Sequence, residues 1–73
     1  MEYLAKIYNA GHKIEAHVDV RSYQGEVEVE FATSFAYVDD EITTLDEVNE
    51  MLQALLIDDA YEQWTMEVDE WTN

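Results

Sequence analysis

Ile14-Glu15-Ala16-His17-Val18-Asp19-Val20 alternates apolar and polar side chains without a break. Successive side chains of a strand point to opposite sides. Ile14, Ala16, Val18 and Val20 therefore share one face and Glu15, His17 and Asp19 the other, the pattern of a half-buried strand. The chain has two glycines, Gly11 and Gly25, and no proline. The glycines bracket this strand and are expected to mark turns. Upstream, a hairpin around Ala10-Gly11 that keeps both apolar faces inward matches Ile7 with Ile14 and Ala5 with Ala16, and sets Lys6 opposite Glu15. Downstream, alternation resumes at Val27 and runs far, with Val27, Val29, Phe31, Thr33, Phe35 and Tyr37 on one face and Glu26, Glu28 and Glu30 beginning the other. Matching apolar faces pairs Val20 with Val27 and Val18 with Val29. It leaves Ser22-Tyr23-Gln24-Gly25 as the loop, closes Arg21 against Glu26, and puts Glu28 opposite Asp19 and Glu30 opposite His17.

Beyond Asp39-Asp40-Glu41 the period changes. Thr44 and Glu47 read as a capping box before a helix-spaced stripe of Leu45, Val48, Leu52, Leu55 and Leu56, with Asp46, Glu47, Asn49, Glu50 and Gln53 facing outward. In the tail, Tyr61, Trp64, Val68 and Trp71 recur at helical spacing. This predicts a second helix whose start Asp58 or Asp59 caps; Trp64, Met66 and Val68 also alternate, which leaves a fourth strand as the alternative. The expected fold is a single acidic α+β domain over residues 1–73: a three-stranded antiparallel meander packed against one amphipathic helix, followed by a second C-terminal helix.

The charge is the unusual feature. Eighteen Asp and Glu face three Lys and Arg, a formal net charge of -15. Hydrophobic residues at 48% of the chain separate it from a disordered acidic tail, which could not bury a core. The same charge disfavours direct binding to nucleic acid or to an anionic membrane surface, since phosphates are repelled from nearly every approach. Without cysteine there is neither a disulfide framework nor a thiolate metal site. The start lacks a basic segment leading into a long apolar run, so a soluble cytoplasmic protein is expected, in the host cytoplasm if the chain is viral.

Catalysis requires a nucleophile or base held by an orienting partner. Ser22, Ser34, His12, His17 and a crowd of carboxylates form no recognisable arrangement, so no enzymatic activity and no cofactor are expected. His17, Asp19, Glu28 and Glu30 could in principle approach a divalent cation, but they lack a ligand-spacing signature, and no metal is expected. Asp39-Asp40-Glu41 and Asp58-Asp59 lack the calcium-loop pattern and read as helix caps.

Function is instead expected in the carboxylates as a set. Glu26, Glu28 and Glu30 stand about 6.7 Å apart along one strand face, Glu15 and Asp19 extend the line sideways, and Asp46, Glu47 and Glu50 continue it on the helix. Solubility is commonly served by a net charge of magnitude about 2 to 8 in a small domain, so -15 overshoots that need. In size and acidity the chain resembles small viral counter-defence proteins, the anti-CRISPR and anti-restriction decoys, although no motif ties it to one family. That resemblance implies a DNA-mimic inhibitor whose partner is a basic nucleic-acid-binding protein of defence, repair or transcription; a monomer is expected, because dense negative charge protects the sheet edges from pairing. Two readings compete with it. In one, the acids hydrate the surface of a halophile-adapted domain, although Glu outnumbers Asp. In the other, an interaction module anchors its partner through Tyr23, Trp64 or Trp71.

Overall fold

A computed structural model of the chain describes residues 1–72, with side chains described as far as Val68. Five strands, β1 (Glu2–Asn9), β2 (His12–Tyr23), β3 (Glu26–Phe31), β4 (Phe35–Val38) and β5 (Glu41–Thr44), form one antiparallel sheet. A 3₁₀ turn (Leu45–Glu47) leads into a single helix, α1 (Glu50–Thr72), which packs across β1, β2 and β3. The α+β class and the sheet-on-helix packing agree with the sequence reading; the number of strands and the unity of the helix do not.

β2 organises the sheet. On one side it pairs with β1, with Ala5 opposite Ala16, Ile7 opposite Ile14 and Lys6 opposite Glu15, as the alternation predicts. On its other side it pairs first with β3 and then with β4. The β2–β3 register differs from the expected one by two residues: Val20 faces Val29, Val18 faces Phe31, Arg21 faces Glu28 and Asp19 faces Glu30. The loop is only Gln24-Gly25, with φ of 50° and 84°, which lets Ser22 and Tyr23 join the ladder. Two consecutive left-handed residues make the tight turn whose twist suits a hairpin. A slip of two keeps every side chain on its face, so the alternation could not detect it.

The long strand expected from Val27 to Tyr37 is interrupted. Between the pairs Val18–Phe31 and Ile14–Val38, β2 advances four residues while the opposing segment advances seven. Three extra residues in the bulge around Ala32-Thr33-Ser34 reverse the facing of β4 relative to β3, because strand facing has period two. Ala36 is therefore fully buried under the helix layer, and Phe35 and Tyr37 project from the opposite face of the sheet. Asp39-Asp40 is not a helix cap. With φ of 51° and 70° it forms a two-residue turn into β5, the third of this kind after Ala10-Gly11 and Gln24-Gly25, and Val38 faces Glu41 and Tyr37 faces Ile42.

The expected capping box is also rearranged. Thr44 makes no side-chain cap; the Thr43 hydroxyl donates to the Glu47 carboxylate instead. The helix proper begins one turn later, where the Asn49 side-chain oxygen accepts from the Met51 amide at 2.8 Å. Gln53 reaches back to donate to the carbonyls of Leu45 and Val48, tying the 3₁₀ turn to the helix. Asp58 and Asp59 lie inside α1 without interrupting it, since neither glycine nor proline is present to stop propagation.

The row Leu52, Leu56, Ala60, Trp64 faces the sheet, and Leu56 and Ala60 are fully buried. Leu55, expected in this stripe, is 45% exposed. The buried core is small: Ala5, Ile14, Ala16, Val18, Val20, Ala36, Val48, Leu56 and Ala60. Its alanines admit close approach of helix to sheet, and Leu56 fills the space between them. Leu56→Ala should cost about 2–5 kcal/mol, a large share of what a domain of this size can hold, and urea denaturation measures it.

Candidate anionic interface

Residues 39–73 contain 12 of the chain's 18 carboxylates and no Lys, Arg or His. All three basic side chains, Lys6, Lys13 and Arg21, stand on β1 and β2 at positions whose side chains point away from the helix. The two layers of the fold therefore differ in charge. The uncovered face of the sheet is mixed, and the layer built from the 3₁₀ turn and α1 is purely anionic.

The eight residues expected to bind a partner fall into three groups. Glu15 and Asp19 are internally engaged. Lys13 lies 3.5 Å from Glu15, and Asp19 accepts from the Arg21 Nε at 2.6 Å and sits 3.4 Å from the amino terminus. The Arg21 hydrogen bond, reinforced by the amino terminus, holds the Asp19 carboxyl below the usual carboxylate range. Glu26, Glu28 and Glu30 are exposed in a line along β3, with Arg21 3.6 Å from Glu30 relieving the opposition of Glu30 and Asp19. Asp46, Glu47 and Glu50 are exposed around the helix start, at an open depression of about 620 Å³ that Asn49 and Gln53 also line. The structure does not join these last three to the sheet acids, because they belong to the other layer.

Sequence reasoning missed two further members. Asp58 and Glu62 are exposed on the helix side that carries Glu50, and reading a helix start at Asp58 concealed this. That outward side also bears Met51, Leu55, Tyr61 and Met66, exposed by 65%, 45%, 46% and 64%. Trp64 is half-buried against the core, whereas Tyr23 is 75% exposed. The Trp71 side chain lies outside the described residues.

The candidate cation cluster is dispersed by the corrected register. Glu30 stands opposite Asp19, and His17 instead meets the Tyr37 ring edge-on at 6.2 Å. Among the described residues no group of three His, Asp or Glu side chains is placed to hold a metal ion, and no helix is long and apolar enough to cross a membrane. His12 binds Asp39 at 2.6 Å, and this bond, with the Lys13 amide, lowers the Asp39 pKa. Comparison with known proteins finds no matching family model, no matching curated protein and no matching solved structure.

Proposed function

We propose that this chain is a non-catalytic DNA-mimic inhibitor that occupies the basic nucleic-acid-binding groove of a defence, repair or transcription protein. The observation that carries the reading is the helix layer. Asp46, Glu47, Glu50, Asp58 and Glu62 are exposed on it, and the sequence from residue 39 onward offers no cation to neutralise them. A groove built to release counterions from a phosphate backbone would gain the same entropic and Coulombic return from such a surface. Glu26, Glu28 and Glu30 would supply a secondary contact for a groove that wraps the β3 edge.

The test is competition. A restriction, CRISPR or repair protein that binds the chain should lose a labelled duplex in proportion to added chain, with binding weakening by about tenfold or more between 50 and 200 mM salt. Neutralising Asp46, Glu47, Glu50, Asp58 and Glu62 to amides should abolish competition. Binding that leaves the duplex in place, or that survives the amide variant, excludes the decoy.

The outward row of Met51, Leu55, Tyr61 and Met66 favours a second reading, an interaction module whose apolar anchors hold a partner while the acids only steer it. Leu55→Ala with Met66→Ala would then raise the dissociation rate, and the amide variant would chiefly slow association.

A further inference from the structure

The sheet face opposite α1 is covered by none of the described residues, and its composition differs from that of the helix layer. It carries Leu4, Tyr8 and Ile42, exposed by 45%, 71% and 66%, around the half-buried group of His17, Phe35 and Tyr37. Tyr37 is the hub of that group, edge-on to His17 at 6.2 Å and to Phe35 at 5.7 Å. The three-residue bulge puts Phe35 and Tyr37 here, outside the core, beside His17 of β2. Every Lys and Arg of the chain is on this face, so its charge is mixed while that of the helix layer is wholly negative.

We infer that this face is the interface of a symmetric dimer, in which a second copy of the chain packs sheet against sheet with its strands reversed. Charge order along β2 selects the orientation. Lys13, Glu15, His17, Asp19 and Arg21 succeed one another on the outer side of the strand. Reversal about a two-fold axis between His17 and Asp19 sets Glu15 against Arg21 of the second copy and His17 against its Asp19. A parallel arrangement would instead stack the Glu2, Asp19 and Glu30 row on itself. An isologous contact of this kind is self-complementary, as two-fold symmetry requires.

Size agrees, and because the face carries Glu2, Glu15, Asp19, Glu26, Glu28 and Glu30 against Lys6, Lys13 and Arg21, dimerisation should strengthen with moderate salt. The molecule measures 37 by 21 Å in its two longer dimensions. Such a face offers on the order of 800 Å², the area each partner contributes to an interface of standard size. Stacked sheets lie about 10 Å apart, so the two helix layers, on the far sides of the sheets, are separated by more than about 20 Å. That is beyond two screening lengths at 0.1 M salt, and the anionic layers of the two copies repel weakly. The monomer expectation rests on charge at the sheet edges and does not bear on this face. The dimer leaves the helix layer, which carries the decoy reading, exposed, but it covers the face of Glu26, Glu28 and Glu30; mass reads the dimer and competition reads the decoy, so the two can fail separately.

Sedimentation equilibrium of the intact chain decides it. At about 100 µM the mass should be twice the 8.5 kDa of one chain, falling towards that value on dilution. Leu4→Ser with Ile42→Ser, both at exposed positions that the core does not need, should weaken dimerisation by about tenfold or more. Arg21→Glu should do the same, and adding Glu15→Arg to it should restore the dimer, a rescue that general destabilisation cannot produce. Glu62→Lys, on the helix layer, should leave the mass unchanged, and circular dichroism verifies that each variant is folded. A mass of one chain throughout, a folded double charge-swap that stays monomeric, or a dimer lost in Glu62→Lys overturns the inference.

Discussion

Ala10 has φ of 51°, a left-handed conformation that costs a residue with a Cβ and no local hydrogen-bonding side chain. Asn tolerates it, and Asn followed by Gly is the preferred pair for this turn, so Ala10→Asn should stabilise the domain by about 0.5–1 kcal/mol. A urea midpoint raised with unchanged slope would show this; a lowered one would mean that the turn is not of this type. Tyr3 is the other informative single position. Burial, and then the hydrogen bond it donates to Glu67, push its phenol up to about 12. A phenol that holds its proton more tightly when folded contributes stability fully below its ordinary value of 10.0 and loses it as pH rises through about 12. The alkaline loss of stability between those values should therefore flatten in Tyr3→Phe, and an unchanged profile would place the titration elsewhere.

At the level of elements, α1 serves the sheet twice: it covers the core, and it closes the outer edge of β1. The Asp59 carboxylate accepts from the Lys6 amide at 2.9 Å, and Gln63 donates to the Leu4 carbonyl at 3.2 Å and to Asp59 at 2.9 Å. Both backbone groups point away from β2 and would otherwise be a template for a foreign strand. Asp59→Ala should cost about 0.5–1.5 kcal/mol and hasten exchange of the Lys6 amide proton selectively, which nuclear magnetic resonance resolves. The elements were unequally legible. The register of β1 on β2 was readable to the residue, because Ala10-Gly11 fixes the turn and the alternation fixes the face, whereas the far end of β2 was read as loop. β5 escaped notice because Glu41-Ile42-Thr43-Thr44 is short and comes after two aspartates that also suit a helix start. The bulge after Phe31 escaped because Thr33, Phe35 and Tyr37 continue the alternation unbroken, and only the extra length against β2 reveals that their facing has changed.

For the whole molecule, net charge sets the dependence on conditions. Two like charges 10 Å apart in water repel by about 0.4 kcal/mol, and the screening length falls from about 30 Å at 0.01 M salt to 10 Å at 0.1 M. With a charge of -15 confined to 73 residues, the melting temperature should rise by about 5–10 °C over that range. A chain folded in dilute buffer is not an obligate halophile; one that folds only near molar salt would support that reading over the decoy. Local periodicity and composition were enough to establish the α+β class, the hairpin of β1 and β2, a C-terminal amphipathic segment that rests Leu52 and Leu56 on the sheet, and an excess of acids over bases. Packing in three dimensions was needed to learn how that charge is divided between layers, which acids are internally paired, and that Phe35 and Tyr37 lie outside the core. The physical reason is that facing in a sheet depends on the number of residues opposed across strands, and a chain read along its length does not contain that count.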